Sequence, residues 1–300
     1  MIPTVLLTGF LGAGKTTLLN RLIDFYNSYR TVLLINEFGK VGIDGERLNA
    51  GNYEKIELNR GSLFCICVRT DFIAEVEKIA TQLKPDLLII EATGLADTTE
   101  MEKMLALPNL KSHIQLETCI CLVDCTTFLK IKDNLKAPVS QLKSADLILI
   151  NKTDLVSDEQ KSQVRKAVSA HVSRIPVIET RYADFPLETL NALHHRSTQS
   201  AGEPGEGRPD PVFSLTLESD KRFDEAGWMR FKEFIKPHIM RFKGFVQIDG
   251  DARYVDATMD SWSETSLQNN SSPSIRLVII GQTLDNELIE KRFKELVIDG

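Results

Sequence analysis

Residues 9–16 read G-F-L-G-A-G-K-T, preceded by a short apolar run at 4–8 and followed by apolar residues at helical spacing, Leu18, Leu19, Leu22 and Ile23. A strand, a glycine loop and a helix in that order leave few folds open, because this is the setting in which a phosphate-binding loop forms. Glycines let the backbone curl so that successive N–H groups point at phosphate oxygens, and the helix N-terminus adds favourable partial charge. Gly12, Ala13, Gly14, Lys15, Thr16 and Thr17 are then the residues that line the phosphates. Lys15 would reach the β- and γ-phosphates, and the Thr16 hydroxyl would ligate Mg²⁺. A glycine turn that merely joins a strand to a helix has no need of that lysine and threonine. The chain is expected to bind a nucleoside triphosphate.

Apolar runs continue to alternate with helical patterns as far as residue 195. Strands are expected at 4–8, 32–36, 87–91, 119–124, 147–151 and 176–179, and helices at 15–27, 71–83 and 158–171. Such alternation predicts an α/β fold with a mainly parallel sheet covered on both faces, whose ligands bind beyond the carboxyl ends of the strands. Residues 197–211, S-T-Q-S-A-G-E-P-G-E-G-R-P-D-P, have no periodicity and read as a linker. Beyond it, strands at 212–218, 245–249, 253–258 and 275–280 with helices at 225–236 and 286–296 describe a smaller α+β module, and 266–274 reads as a loop. The expected organisation is therefore a P-loop domain at 1–196, a linker at 197–211 and a second domain at 212–300.

The bulk numbers exclude several classes. With 36 Lys and Arg against 42 Asp and Glu, the net charge is −6, which argues against a nucleic-acid binder. The apolar runs are far shorter than a membrane span, and the first residues carry no basic region of a secretion signal. Five cysteines, an odd count grouped as Cys65/Cys67 and Cys119/Cys121/Cys125, do not suggest a disulfide framework, so reduced thiols in the cytoplasm are expected. Cys119, Cys121 and Cys125 alternate on one predicted strand, share a face, and are expected to pack in the core.

Asn151-Lys152-Thr153-Asp154 follows the apolar run at 147–150. An aspartate there can accept two hydrogen bonds from guanine, which adenine cannot offer, and a site built around such bonds rejects the wrong base strongly. Asn151 is expected at the purine edge, bracing the loop, with the Lys152 stem over the ring. GTP is therefore the expected nucleotide. Glu91-Ala92-Thr93-Gly94 closes the run at 87–90, so the Glu91 carboxylate can serve Mg²⁺ and the Gly94 N–H can sense the γ-phosphate, with a helix expected to begin near Thr93. Asn36-Glu37-Phe38-Gly39 with Val41-Gly42-Ile43-Asp44 adds Glu37 and Asp44 as acidic groups able to touch metal or position water. Lys15, Glu91 and Glu37 are the candidate catalytic residues.

Taken in order, G-F-L-G-A-G-K-T-T-L-L-N, I-N-E-F-G-K-V-G-I-D, E-A-T-G-L-A-D and N-K-T-D resemble the CobW family of metal-associated P-loop GTPases. The segments R-F-K-G-F from Arg241 and R-L-V-I-I-G from Arg276 resemble that family's C-terminal domain. The resemblance implies Mg²⁺-dependent GTP hydrolysis, and GTP-linked binding and delivery of zinc or cobalt to a client protein. No arginine finger is evident, so hydrolysis is expected to be slow without a partner.

The family's G-C-x-C-C motif is altered, because residues 61–68 read G-S-L-F-C-I-C-V. Aligned from Gly61, Cys65 matches the third cysteine and Cys67 is extra; aligned on the C-x-C, both match and Val68 replaces the last. Either way two thiolates remain where a tetrahedral ion takes about four ligands. In the manner of the family Glu37 would supply another, with His113 a weaker candidate. Thiolates favour a borderline-soft ion over Mg²⁺, whereas packing alone would also account for two small side chains. A partner-regulated GTP switch with no transition metal is the alternative reading. An ATPase or small-molecule kinase sharing only the P-loop is a third, which residues 151–154 oppose.

Overall fold

The computed structural model describes residues 1–36, 53–58, 66–196, 212–267, 274–282 and 285–299. Its described residues form two compact units, the first ending at Arg196 and the second starting at Val212.

The first unit is β1 (Ile2–Gly9), α1 (Lys15–Phe25), β2 (Thr31–Asn36), β3 (Tyr53–Leu58), α2 (Ile66–Lys78), β4 (Leu87–Glu91), α3 (Thr98–Leu105), α4 (Pro108–Lys111), β5 (Ile114–Asp124), α5 (Phe128–Ile131), α6 (Ala137–Lys143), β6 (Leu147–Asn151), α7 (Asp158–Ser169) and β7 (Val177–Glu179). Its seven strands lie in the order β3-β2-β4-β1-β5-β6-β7, every pairing parallel. The central strands are continuous apolar runs because helices cover both faces. Leu7, Leu33, Ile89, Ile120 and Leu149 pack with Leu18 and Leu22 of α1. Leu6, Leu34 and Ile90 pack on the other side with Phe72 of α2 and Met101 of α3. Burying one such leucine is worth about 1.5–3 kcal/mol, so the sheet centre is a rigid platform for the loops at its carboxyl edge.

The second unit is β8 (Phe213–Ser219), β9 (Arg222–Phe223), α8 (Glu225–Ile235), β10 (Arg241–Ile248), β11 (Asp251–Thr258), β12 (Trp262–Ser266), β13 (Ile275–Gly281), α9 (Asn286–Leu296) and β14 (Val297–Ile298). Its main strands run β12-β11-β10-β13-β8 and are antiparallel to their neighbours. Leu215, Phe242, Val255 and Leu277 on one face pack against Trp228, Phe231, Ile289 and Phe293 from α8 and α9. The edge strand β12 is tied to α8 through Glu264, whose Oε1 accepts the Trp228 and Trp262 indole N–H groups at 3.2 and 2.8 Å and pairs with Lys232 Nζ at 2.7 Å.

Several elements differ from the sequence expectation. The edge strands β3 and β12 were not expected, and the span given to a loop at 266–274 begins with the last residue of β12. Y-E-K-I-E-L and W-S-E-T-S lack an apolar run because each pairs on one side only. The helix expected at 71–83 runs Ile66–Lys78 and then widens into a π-turn, Ile79–Leu83, closed by Lys84 N–H donating to Ile79 O at 2.9 Å. The helix expected near Thr93 starts at Thr98, because Asp97 and not Thr93 is its cap, accepting from Thr99 N–H at 3.0 Å. The expected linker at 197–211 lies outside the described residues.

Candidate nucleotide site

The loop between β1 and α1 leaves the carboxyl edge of the sheet beside the ends of β4 and β5, since Leu7 pairs with Glu91 and Gly9 with Leu122. Its glycines carry the backbone that other residues resist, with φ of 78° at Gly12 and 106° at Gly14. Gly14 caps α1, and a Cβ there would come within 2.5 Å of Asn151 Nδ2. The loop is thus closed against the base-reading loop to the width of one missing methyl group. Lys15 is 8% exposed; its Nζ donates to Gly9 O at 2.9 Å and Phe10 O at 3.3 Å, which folds the ammonium over the loop. Ala13 is buried, Thr16 half-buried and Thr17 exposed at the start of α1.

The base-reading loop is built around Asn151, which is 2% exposed. Its Nδ2 donates to Ala13 O at 2.9 Å, while its Oδ1 accepts from Thr180 Oγ1 at 3.1 Å and Ala183 N–H at 2.9 Å. Lys152 holds a left-handed φ of 61°, and its Nζ pairs with the buried Asp124 carboxylate at 2.6 Å. Asp154 is exposed in the turn that follows. Thr153 ties this turn to the next loop, its N–H and Oγ1 both donating to Thr180 O, at 3.2 and 2.9 Å.

That next loop escaped the sequence reading. Tyr182 and Ala183 are consecutive left-handed residues, φ 53° and 51°, and no glycine advertises the turn. Asp184 beyond them pairs with Arg21 of α1 at 2.5 Å, so the loop is fixed from both sides of the phosphate loop. The T-R-Y-A-D-F-P stretch directly after the last parallel strand was the available signal.

Glu91 is 5% exposed at the end of β4, and the chain turns back toward the phosphate loop at Gly94, where a Cβ would meet Leu11 N at 2.5 Å. Gln141 of α6, also missed in the sequence, donates from Nε2 to Gly94 O at 3.1 Å and Ala96 O at 3.3 Å. Thr8 and Thr98 hydroxyls share a buried hydrogen bond of 2.9 Å beneath the same loop. The cradle and its donors suit a magnesium-bound triphosphate: glycines where a Cβ would collide, a lysine above the loop, and the hard oxygens of Thr16 and Glu91 on adjoining elements.

The transition-metal candidates fare differently. Glu37, Asp44 and Cys65 lie outside the described residues, and of Cys67 only the backbone, in the first turn of α2, is described. His113 sits at the opposite edge of the sheet, where its carbonyl accepts from Ile2 N–H at 2.7 Å. An eight-residue strand, about 25 Å long, separates it from the phosphate loop. Among the described residues no group of three or more His, Cys, Asp or Glu could hold a metal ion. Cys119, Cys121 and Cys125 are buried, unbridged and packed in the core. No described helix is long and apolar enough to cross a membrane.

A phosphate loop at the carboxyl edge of a parallel sheet, bonded to an N-K-T-D loop, defines a P-loop nucleotide-binding protein. The model for the CobW/HypB/UreG nucleotide-binding domain matches residues 3–179, and that for the cobalamin synthesis protein cobW C-terminal domain matches 212–297. The chain belongs to the CobW family of P-loop GTPases. It is 31% identical to a zinc chaperone CobW of Sinorhizobium sp, covering 93% of this chain and 92% of that one. A zinc chaperone CobW of Pseudomonas aeruginosa is 27% identical over 98% and 91% of the two chains. Among solved structures, Zn(II)-bound YjiA GTPase from E. coli aligns over 98% of both chains at 24% identity, with a TM-score of 0.45.

Proposed function

We propose that the chain is a cytoplasmic, magnesium-dependent GTPase that couples its nucleotide state to holding zinc, or cobalt, and passing the ion to a client protein. The observation that carries the nucleotide half is the Asn151 to Ala13 hydrogen bond, which makes the phosphate loop and the base loop one structure. In this reading Lys15 leaves the Gly9 and Phe10 carbonyls for the β- and γ-phosphates. The N–H groups around Gly12, Ala13, Gly14 and Thr17 take phosphate oxygens, and Asp154 and Asn151 take guanine. Thr16 and Glu91 would hold Mg²⁺, which neutralises charge as the β–γ bond breaks. The Gly94 N–H reports the γ-phosphate to α3.

The metal half draws its support from the zinc-chaperone names of the relatives and from the C-x-C of Cys65 and Cys67. Two thiolates with Glu37 give a set that a nucleotide-dependent loop can complete or open. The unit at 212–300 is assigned to client recognition, joined to 1–196 by the linker at 197–211.

Equilibrium dialysis against zinc, with a non-hydrolysable GTP analogue and with GDP, tests both halves. The expected result is affinity that differs between the two nucleotides and is lost in Cys65→Ser/Cys67→Ser. Equal zinc binding with either nucleotide and without them removes the coupling; loss of GTP turnover in Lys15→Ala with intact zinc binding keeps the two halves separable.

A further inference from the structure

Gln141 is 1% exposed, and both acceptors of its side-chain amide lie in the loop between β4 and α3, 47 and 45 residues upstream. That loop is tied to the sheet at its ends. Ala92 N–H donates to Leu7 O at 2.9 Å, and Thr98 meets Thr8 at 2.9 Å. Between these ties the peptide joining Gly94 to Leu95 is held from both sides. Gln141 takes its carbonyl, and its N–H donates to Thr93 Oγ1 at 3.3 Å. The Gly94 N–H, in the preceding peptide, makes no hydrogen bond among the described residues. Gly94 itself lies hard against Leu11 of the phosphate loop.

Glycine has no Cβ to limit its two flanking peptide planes, so the orientation of the Gly94 N–H depends on outside restraints, here the Gln141 bond to its carbonyl and the close packing against Leu11. We propose that Gln141 is a positioning residue for γ-phosphate recognition. It holds the Gly94 carbonyl on the α6 side so that the Gly94 N–H stays aimed at the third phosphate, and it makes loop 91–97 and α6 respond together. The proposal rests on reading residues 9–17 and Gly94 as the nucleotide site. The chemistry suits a carboxamide. Its NH₂ supplies two donors for two carbonyls, whereas a carboxylate would repel both and a thioether would fill the space without bonding either.

Gln141→Met and Gln141→Glu test this, with fluorescent GDP and a fluorescent non-hydrolysable GTP analogue titrated in the presence of magnesium. In Gln141→Met the expected result is unchanged GDP affinity and a loss of about tenfold for the GTP analogue, the scale of a hydrogen bond or two removed. In Gln141→Glu the loss, taken relative to wild type at each pH, should shrink as the pH falls, because a protonated carboxyl regains an O–H donor. The methionine variant should show no such recovery. Equal losses for both nucleotides at every pH would make Gln141 a packing residue and overturn the proposal. If Gln141→Met does not fold by thermal melting, the glutamate pH series decides alone. Wild-type protein that binds neither nucleotide would instead overturn the site reading, and this inference with it.

Discussion

The side-chain amide of Asn151 donates to the Ala13 carbonyl at 2.9 Å across 138 residues of sequence, so the base loop and the phosphate loop meet at one atom pair. The same side chain accepts from Thr180 and Ala183, which brings the third loop of the site to the same point.

Asn151→Ala should therefore damage stability and binding together. It leaves the Ala13 carbonyl and the Ala183 N–H without their partner in a position only 2% exposed. Each buried group left unsatisfied costs about 1–3 kcal/mol, so a loss of about 2–6 kcal/mol is expected in urea unfolding. GTP affinity should fall with it. Asn151→Asp keeps the acceptor for Thr180 and Ala183 but sets a carboxylate oxygen against the Ala13 carbonyl, so it should be destabilised as well. A variant as stable as wild type would show that the three loops are held by something else.

The buried cysteines should be chemically silent. Burial, foremost, pushes the Cys121 thiol up to about 12 and the Cys125 thiol up to about 11, and raises that of Cys119 well above its ordinary value. Only the thiolate attacks disulfides or binds soft metals. In the native protein none of the three should react with a chromogenic disulfide reagent, and all should react after guanidinium unfolding. Cys121→Ala should leave zinc binding unchanged. Rapid labelling of Cys119 in the folded state would contradict its place in the core.

The parallel sheet and the two loops that define the site were legible in the sequence because each is local. An apolar run ends and a glycine loop or N-K-T-D begins, within ten residues. What could not be read was set by partners distant in the chain. The strand at Tyr53–Leu58 is a strand because β2 lies beside it, and its two glutamates and lysine hide that pairing. Gln141 looks like any polar residue of a short helix until Gly94 and Ala96 are found at its amide. The left-handed turn at Tyr182 and Ala183 is held by Asn151 and Arg21 from outside, and no glycine within it marks the conformation, so only its place directly after the last parallel strand signals it.

In the second unit, Glu264 is the group on which the edge strand depends. It accepts from two indole N–H groups and pairs with Lys232, and Trp228 has no exposed surface. Burial raises the Glu264 pKa, but the bonds from Lys232, Trp262 and Trp228 outweigh it and hold the carboxyl below its usual value. Glu264→Ala should cost about 2–3 kcal/mol, most of it from the stranded Trp228 N–H. Trp228→Phe added to it should cost less than the sum of the two single changes, because the donor that was stranded is gone. Additive losses in calorimetry would refute the shared network.

His195 carries a pH dependence of the opposite sign to that of the carboxylates. Its Nδ1 lies 2.8 Å from Asp146 Oδ2; the same carboxylate accepts from Cys119 N–H and Arg196 N–H, each at 2.8 Å. Burial pulls the imidazole pKa down, yet the Asp146 hydrogen bond, with the charges of Asp146 and Glu102, holds it above its ordinary value of 6.5. A group whose pKa is higher folded than unfolded stabilises fully below the unfolded value, and the gain disappears as pH rises through the folded value. The urea midpoint of the first unit should therefore decline as pH is raised from 6.5 toward the mildly alkaline range. His195→Gln should lose that slope while Asp146 keeps its two backbone donors, so the variant should still fold. The same decline in His195→Gln as in wild type would assign the slope to another group and leave the His195–Asp146 contact electrostatically neutral.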